Sequence, residues 1–579
     1  MLHKFLQQRL QQAVAAVLPD AEVSAVLVRP CPDPRFGDYQ ANALMALAKA
    51  RKINPRQLAA DVAARLDVSQ WCEPVELAGA GFLNFRLKIP ALALALDSVA
   101  RGQRPLVEKT DRPRSIIIDF SSPNAAKPMH VGHIRSTILG DSLARISRLL
   151  GHRVTTDNHL GDWGTQFGKL ILGWKTRLDP AALDRDPIAE MERLYQLINA
   201  ACEQDPNSLQ NARQELVKLQ AGDPENLAIW RRMIALSQEQ FDRVYARLGV
   251  TFDHTFGESH YHLRLQAVVD DLKQRGLARE SDGAMAVFFD DVPALKGHPA
   301  LVQKSDGAFN YTTTDLATLQ FRMEGGCGLG APDEIIYVTD GRQQLHFQQL
   351  FTLFRRWQPA AAVKLAHVWF GSILGEDGKP FKTRSGQTVR LEDLLDEAEE
   401  RAFQVVSDKN PEWPEETRRQ IARRVGLGAI KYADLSQNRQ SDYVFSWDKM
   451  LSLQGNTAPY LLYAFTRIRS IFRKGGEAAA APITSASGMV LEAQEEIVLA
   501  RRLLDFGLVL ETVADEYRPN FLCGYLYDLA GDFARFYENC PVLRATGDSR
   551  ASRLALCDLA SRVLQQGLGA LGIQTTEQM

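Results

Sequence analysis

A short, uninterrupted apolar run is the feature that most constrains the fold of this 579-residue chain. The run, Ser-Ile-Ile-Ile-Asp-Phe at 115–120, has the pattern of a strand that is buried on both faces. Apolar residues then recur with helical spacing from Ile134 to Leu150, and residues 152–157 return as a strand. A strand, a loop, a helix and a second strand in this order predict a parallel sheet, because parallel neighbours need a crossover connection.

The rest of the chain divides into segments of different character. Residues 1–105 mix helical spacing with strand-like alternation, and a polar, proline-containing stretch follows them. Residues 176–299 are polar and mostly helical in pattern, so we expect an insertion into the sheet domain, which resumes with the apolar run at 335–340. The predicted segments are 1–105 (α+β), 113–175 with 300–390 (sheet domain), 176–299 (helical or mixed insertion), 391–449 (helical linker) and 450–579 (α-helical).

Composition narrows the class of protein. Hydrophobic residues make up 45% of the chain and charged residues 24%, which is ordinary for a protein with a sizeable buried core. The formal net charge of −2 does not indicate a nucleic-acid binder by bulk charge, although local basic faces remain possible binding sites. No stretch approaches the roughly 18 apolar residues of a membrane span. Seven scattered cysteines without a C-x-x-C pair indicate reduced thiols in a cytoplasmic protein.

Two histidines bracket a glycine at the predicted start of the helix, in the stretch from His130 to His133. A helix start offers free backbone N–H groups and a favourable dipole to phosphate, and it follows the carboxyl end of a parallel strand, where open α/β sheets bind ligands. Gly132 has no Cβ and lets a flat base or ribose approach the backbone, and Lys127 adds positive charge. Two other interpretations stay open at this point: a metal site, although no Cys/His cluster accompanies it, and histidines that cap the helix.

A second basic element follows the predicted sheet. Lys379, Lys382 and Arg384 lie in a loop that is bounded by Gly378 and Gly386. In isolation such a loop is most often a solvated surface. A binding role for this loop is suggested by the site at His130–His133, because a triphosphate bound there needs positive charge from another side.

These two elements together resemble the paired signatures of class I aminoacyl-tRNA synthetases. The segment 119–141, with DFSSPNAAKPMHVGHIRSTILGD, is similar to the arginyl-tRNA synthetase form of the first signature. Four further stretches resemble that family and occur in its order: NHLGDWGTQFGKL at 158–170, YTTTDLA at 311–317, KPFKTRSG at 379–386 and NTAPYLLYAFTRIRSI at 456–471. The matches extend over most of the chain, and the first and last are the most specific.

The resemblance implies both a fold and an activity. The expected fold is an α/β Rossmann-type parallel-sheet catalytic domain with an inserted domain, an α+β N-terminal domain that contacts tRNA and an all-α C-terminal domain that binds the anticodon. The expected activity is the condensation of L-arginine with ATP to arginyl-adenylate, dependent on tRNA, and transfer of the arginyl group to the 3′ end of tRNA-Arg. ATP is expected as a substrate with Mg²⁺, without a tightly bound metal or prosthetic group, in a monomer of the cytoplasm.

Two alternatives stay beside this interpretation. The first is another class I synthetase, or a smaller nucleotidyltransferase with the same histidine signature. The long helical C-terminus argues against the small transferases, and Tyr311 with Asp315 argues against a neutral amino acid. The second is a catalytically silent tRNA-binding paralogue, for which intact signature residues would have no chemical purpose.

The family resemblance assigns the ATP end of the site. By position in the motifs, the residues implied in binding ATP are Lys127, His130, Gly132, His133, Lys379, Lys382 and Arg384. All of these except Gly132 and Arg384 are also implied in catalysis, which consists of positioning and of neutralising charge on the phosphates. The stretch FKTR departs from the usual Lys-Met-Ser-Lys-Ser loop of class I enzymes, and Lys127 matches the lysine that compensates for this in arginyl enzymes.

Arginine recognition requires acceptors, because a guanidinium has five donors and no acceptor. The resemblance implies an arginine site made of Asp119, Ser122, Pro123, Asn124, His133, Tyr311, Asp315 and Gln343. Tyr311 and Asp315 match the guanidinium pair of the family, and Gln343 matches a glutamine at the α-amino end. Trp163 is interpreted as a turn anchor rather than a substrate contact.

Contacts with RNA are predicted in both terminal segments. Basic residues next to aromatic ones in the stretch 456–474 suit the stacking of unpaired bases, although an amphipathic core helix gives the same pattern. The residues predicted to contact tRNA are Asn84, Tyr460, Arg467 and Tyr537.

Overall fold

A computed structural model of the chain describes residues 2–31, 33–381, 389–476 and 488–579. The chain forms two compact units. The first contains Met1–Lys109, Leu453–Gly569 and Gln574–Met579, and the second contains Thr110–Ser452 and Ala570–Ile573. Among the described residues, no helix is long and apolar enough to cross a membrane.

A four-stranded parallel sheet forms the centre of the second unit. Its strands are β5 (Ser115–Asp119), β6 (Arg153–Asp157), β10 (Glu334–Tyr337) and β11 (Lys364–His367), in the spatial order β11-β10-β5-β6. All five residues of β5 are buried, as expected for a strand covered on both faces. The registers align Asp119 with both Asp157 and Tyr337, so the ends of three strands lie side by side at one edge. The predicted parallel sheet is confirmed.

The segments between and after these strands are mainly helical. Helix α5 (Val131–Leu149) connects β5 to β6, and α13 (Gln344–Trp357) connects β10 to β11. The chain between β6 and β10 forms α6 (Thr165–Arg177), α7 (Pro180–Arg185), α8 (Pro187–Gln204), α9 (Pro206–Gln220), α10 (Pro224–Leu248), α11 (Leu265–Gln274), the antiparallel strands β7 (Arg279–Ser281), β8 (Ala284–Val287) and β9 (Ala300–Gln303), and α12 (Tyr311–Met323). After β11 follow β12 (Ile373–Leu374), α14 (Leu391–Lys409), α15 (Glu415–Leu435), β13 (Tyr443–Val444) and α16 (Trp447–Met450).

The first unit combines a small antiparallel sheet with helices from both ends of the chain. Its N-terminal part contains α1 (Leu2–Val17), β1 (Arg29–Pro30), β2 (Tyr39–Ala41), α2 (Ala43–Arg51), α3 (Pro55–Ala63), β3 (Glu76–Ala78), β4 (Phe82–Phe85) and α4 (Ile89–Ala100). Its C-terminal part contains α17 (Ala458–Gly475), α18 (Gln494–Leu504), α19 (Phe506–Glu516), α20 (Asn520–Asn539) and most of α21 (Gly547–Ala570). The architecture predicted from the sequence is confirmed, whereas the residue boundaries of its five segments stay predictions.

The packing of α5 against the end of β5 positions the loop between them. Phe120, the residue after β5, is fully buried. A Cβ at Gly140 of α5 would lie only 2.1 Å from Cγ of the Phe120 ring. Gly140 is therefore required by close helix–strand contact, not by a turn, since it lies inside a helix.

We predict that Gly140→Ala lowers stability by about 1–3 kcal/mol, because the added methyl group must displace a buried ring. Gly524→Ala in α20 is the matched control, since a Cβ there meets nothing within 4 Å and alanine favours a helix. Differential scanning calorimetry of both variants measures the effect. An unfolding temperature of Gly140→Ala at or above that of the wild type would contradict the close packing.

Candidate active site

Helix α5 begins with a reciprocal cap made by the two signature histidines. Nδ1 of His130, the N-cap residue, accepts a hydrogen bond from the backbone N–H of Gly132 at 3.0 Å. Nδ1 of His133 accepts one from the backbone N–H of His130, also at 3.0 Å. A Cβ at Gly132 would lie 2.8 Å from Cε1 of His130, so the glycine makes room for this cap. The capping interpretation left open by the sequence is therefore correct for the Nδ1 atoms.

The cap also determines which imidazole nitrogen carries the proton. A ring nitrogen that accepts an N–H bond is unprotonated, so the proton of each neutral ring lies on Nε2. Burial lowers the pKa of His133 to about 3, and repulsion from His130 adds to this. Burial, then the charges of Arg342 and Lys127, lower the pKa of His130. Both rings are neutral at pH 7 and each carries an Nε2–H donor.

The backbone at this cap pairs with the chain that follows the second basic element. Antiparallel bonds join residues 129–131 to residues 389–391, with N···O distances of 3.0 and 2.9 Å. Lys379 is exposed in a turn, where its backbone N–H donates to Oδ1 of Asp377 at 3.0 Å. Lys382 and Arg384, which were predicted to bind ATP, lie outside the described residues. The bonds show that the exit of the basic loop lies directly against the first signature.

Residues 121–124 carry the chain from β5 toward α5 through left-handed backbone. Ser121 has a φ of 73° and Ser122 a φ of 49°, a region that is unfavourable for residues other than glycine. The Ser121 hydroxyl bonds to the hydroxyls of Thr137 and Tyr245, both at 2.8 Å. The Ser122 N–H donates to Oδ1 of Asn158 at 3.0 Å. These bonds hold the turn in its strained conformation.

Asn124 lies against the glycine of the second family-like stretch. A Cβ at Gly161 would lie 2.1 Å from Oδ1 of Asn124, so no other residue fits there without displacing the asparagine. Backbone bonds of 3.1 Å join Gly161 to Pro123 and to Ala125 on either side. The NHLGD stretch therefore supports the segment that was predicted to hold the backbone groups of the substrate.

A cavity of about 310 Å³ opens beside these residues. Its wall includes three of the predicted site residues, Asn124, Lys127 and Tyr311, together with Glu258 and Trp163, which were not predicted to contact a ligand. The turn-anchor interpretation of Trp163 is therefore incomplete. An ammonium group and a carboxyl group on the wall of one cavity can hold ligand groups of opposite charge.

Glu258 is the acidic residue of this wall that sequence reasoning missed. It begins a short 3-10 helix, Glu258–Arg264, inside the predicted insertion. Burial raises the pKa of its carboxyl to about 7, and the charges of Asp315 and Asp162 add to the shift while His159 opposes it. The stretch FGESHYH matches no motif, so the sequence carried no signal for Glu258. Glu258 is distant from Tyr311 and Asp315 in the sequence, and only the fold brings it near them.

Asp315 lies on α12 and has a histidine partner. Its Oδ2 lies 2.6 Å from Nε2 of His346 on α13. Burial lowers the pKa of His346, but the hydrogen bond to Asp315 and the charge of Asp315 together outweigh burial, so the net shift of the pKa is upward. Gln343 is exposed at the end of the short 3-10 helix Gly341–Gln343, immediately before α13. The predicted acidic residue thus has a protonatable neighbour, His346, which was not among the predicted site residues.

Asp119 is buried at the end of β5 and has an internal partner. Its Oδ2 lies 2.6 Å from Nη2 of Arg322, which also lies 2.7 Å from Oδ2 of Asp157. The carboxylate predicted to contact arginine is therefore already paired with a guanidinium of the chain itself. Asp119, Asp157 and His159 lie close enough together to be considered as metal ligands among the described residues, but Arg322 already pairs with both carboxylates.

The residues predicted to contact RNA lie in the first unit. Asn84 is only 2% exposed, and its Oδ1 accepts a hydrogen bond from Nε2 of Gln40 at 2.8 Å. A direct base contact through Asn84 conflicts with this burial. Arg467 on α17 lies 5.0 Å over the ring of Tyr537 on α20, and Tyr460 is a neighbour of exposed Tyr527, with ring centroids 5.5 Å apart.

Comparison with known families covers nearly the whole chain. The family model "tRNA synthetases class I (R), catalytic domain" matches residues 96–447. The model "Arginyl tRNA synthetase N terminal domain" matches residues 4–87. The model "DALR anticodon binding domain" matches residues 461–579.

Similar proteins of full length agree with these matches. An arginine–tRNA ligase of Laribacter hongkongensis is 45% identical over 585 residues, covering 100% of both chains, and one of Hahella chejuensis is 44% identical, covering 99% of this chain and 100% of the relative. The solved arginyl-tRNA synthetase of Plasmodium falciparum has a TM-score of 0.83 at 29% identity and covers 100% of this chain and 99% of that chain. The Thermus thermophilus arginyl-tRNA synthetase has a TM-score of 0.82 at 28% identity and covers 100% of both chains. The chain belongs to the arginyl-tRNA synthetase family.

Proposed function

We propose that this protein is an arginine–tRNA ligase, which activates L-arginine with ATP and transfers the arginyl group to the 3′ end of tRNA-Arg. The observation that carries the proposal is the cavity that both Lys127 and Glu258 line. The reaction brings an anionic triphosphate and a cationic amino acid together, and such a cavity offers a partner to each. Both alternatives, another specificity and a silent paralogue, lack a comparable observation in their favour.

The ATP end is proposed to consist of Lys127, His130, Gly132 and His133, together with Lys379, Lys382 and Arg384 of the basic loop. The capped histidines suit this role because each Nε2–H is a donor, while Nδ1 is held by the backbone. A neutral imidazole donates to phosphate oxygens without losing a proton. Lys127 supplies the positive charge beside them, and Mg²⁺ bound to ATP is proposed to neutralise the rest.

The arginine end is proposed to lie between the 122–124 segment and α12. Ser122, Pro123, Asn124, His133 and Gln343 hold the α-amino and carboxylate groups in this assignment. Tyr311, Asp315 and Glu258 surround the guanidinium, and two carboxyl groups match its forked donors better than one. Asp119 is given no direct contact with arginine, because its oxygens are used by Ser122 and Arg322.

The chemistry then needs no protein nucleophile. The carboxylate oxygen of arginine attacks the α-phosphorus of ATP, the new O–P bond forms, and the bond to pyrophosphate breaks. A ribose hydroxyl at the 3′ end of tRNA next attacks the activated carbonyl, the ester bond forms, and AMP leaves with the hydroxyl proton on its phosphate. The proposed work of the side chains is to align the two reacting atoms and to stabilise charge on the phosphates.

Recognition of tRNA is proposed to involve the first unit. Tyr460, Arg467 and Tyr537 combine rings with positive charge on α17 and α20, which suits unpaired anticodon bases. For the N-terminal domain, the half-buried Gln40 beside Asn84 is the more accessible polar group of that pair. We also propose that the enzyme acts as a monomer in the cytoplasm, a compartment that keeps cysteine side chains such as its seven as thiols.

We predict that the purified protein charges tRNA-Arg with arginine and not with lysine or glutamine. A guanidinium fits two carboxyl groups as a planar fork, whereas an ammonium is a point charge and an amide is neutral. Aminoacylation assays with each amino acid test this, and pyrophosphate exchange is expected to need tRNA. Charging of lysine or glutamine but not of arginine would overturn the proposed specificity for arginine. Strong pyrophosphate exchange without tRNA would overturn the proposed dependence of arginine activation on tRNA.

We predict that Asp315→Asn raises the KM for arginine by an amount on the order of 100-fold, because loss of a largely buried charge partner is worth about 3 kcal/mol. Steady-state aminoacylation at saturating ATP measures the change. Glu324→Gln is the matched control, since Glu324 follows the same helix but forms an exposed ion pair with Arg264. An arginine KM within threefold of the control would remove Asp315 from the site.

We predict that the KM for arginine falls about tenfold between about pH 6 and about pH 8. Burial raises the pKa of Glu258 to about 7, so its carboxyl is mostly neutral at the lower pH and binds the cationic substrate only when it ionises. Glu258→Gln should flatten the profile. A profile that keeps its slope in Glu258→Gln would assign the titration to another group, with His346 as the first candidate.

A further inference from the structure

A buried cluster fastens α12 to the carboxyl edge of the central sheet. The side chain of Arg322, near the end of α12, is 0% exposed and pairs with Asp119 at 2.6 Å and with Asp157 at 2.7 Å. The two aspartates end β5 and β6 and lie opposite each other in register. The same guanidinium lies 5.3 Å over the ring of Tyr337, the last residue of β10. One side chain therefore contacts the ends of three strands.

The position of Arg322 on α12 links this cluster to the residues that are proposed to bind the guanidinium. Asp315 and Arg322 are separated by about two helical turns, which places them on the same face of α12. Tyr311 and Asp315 occupy the first turns of that helix, and Arg322 its last turn. Because a helix of this length behaves as a rigid rod, the anchorage of Arg322 determines where Asp315 lies relative to the sheet.

The other oxygen of Asp119 bonds to the loop that follows β5. The Ser122 hydroxyl donates to Oδ1 of Asp119 at 3.1 Å, while Oδ2 pairs with Arg322. Ser122 lies in the left-handed turn that leads to Asn124, which lines the cavity. One carboxylate thus joins the segment proposed to hold the backbone groups of arginine to the helix proposed to hold its guanidinium.

We propose that Asp119 and Arg322 form a positioning pair that sets the distance between the two ends of the arginine pocket and thereby selects the length of the amino-acid side chain. The inference rests on the proposed function. Neither residue contacts the substrate; Asp119 acts through Ser122, and Arg322 acts through Asp315 and Tyr311. A fixed separation admits one number of methylene groups between the α-carbon and the guanidinium.

The energetics favour a rigid role for this pair. Two carboxylates and a guanidinium that are all buried are stable only together, because removal of one partner leaves an uncompensated charge in the interior. Lysine keeps the charge but lacks the planar guanidinium, so it cannot reproduce the two ion pairs and the ring contact at once. A change at Arg322 should therefore move α12 rather than be absorbed locally.

The test compares Arg322→Lys and Asp157→Asn with Glu334→Gln. Glu334 is a matched control, because it is a buried carboxylate of the same sheet at the opposite end of β10, paired with Arg114 and Lys364 at 2.9 Å each. Aminoacylation gives the KM for arginine, the KM for ATP and the preference for arginine over homoarginine, which has one more methylene. Thermal unfolding of each variant gives the loss of stability.

In the two test variants we expect the KM for arginine to rise at least about tenfold, the KM for ATP to stay within about threefold, and the preference over homoarginine to fall about tenfold. Glu334→Gln should lose stability with both KM values unchanged. If Arg322→Lys does not fold, Asp157→Asn and Asp119→Asn carry the test, with the same split between the substrates expected.

Equal changes of both KM values, or an unchanged preference for arginine over homoarginine, would overturn the positioning pair. A wild-type enzyme that charges no arginine would instead overturn the proposed function. The two failures are distinguishable because the first is measured only in variants of an enzyme that is active on arginine.

Discussion

The reciprocal cap of His130 and His133 is the interaction on which the rest of the site depends. A helix that starts inside a protein must satisfy its first backbone N–H groups, and here two imidazole Nδ1 atoms do so. The same bonds orient both rings and place their protons on Nε2. The same two hydrogen bonds therefore stabilise the start of the helix and orient the Nε2–H donors. Burial lowers the pKa of both rings and so keeps them neutral.

The charged side chains in and near the cavity have contacts that orient them without cancelling their charge permanently. Lys127 lies 4.9 Å over the ring of Tyr195, a contact that orients an ammonium group without neutralising it. Asp315 is hydrogen-bonded to His346, whose positive charge is lost when the ring loses a proton. The carboxyl of Glu258 has a pKa of about 7. By contrast, Asp119 and Asp157 are fully paired with Arg322. Lys127 and Glu258 line the cavity, whereas the ion pairs of Arg322 with Asp119 and Asp157 hold α12 against the sheet.

How far the sequence predicts this structure depends on whether a feature is local. The strand at 115–120, the helix after His130 and the parallel return at 152–157 follow from patterns within a few residues, and the fold agrees with them. The pairing of Asp119 with Arg322 joins residues far apart in the chain, and no local pattern signals it. Glu258 was missed for the same reason. Asn84 was predicted to contact a base, but it is buried in β4, and the stretch FLN does not reveal what covers it.

The predicted insertion is part of the site rather than an appendage to the sheet. It supplies Glu258 to the cavity wall, and its helix α10 holds the loop after β5 from the other side. There the Tyr245 hydroxyl bonds to Ser121 at 2.8 Å, and the Ser237 hydroxyl accepts from the backbone N–H of Ala126 at 2.8 Å. Ser121 and Ala126 both have positive φ, so α10 stabilises two strained residues of the loop. Because these bonds help to offset that strain, the sheet and the insertion together support the loop conformation that presents Asn124, Lys127 and the histidines.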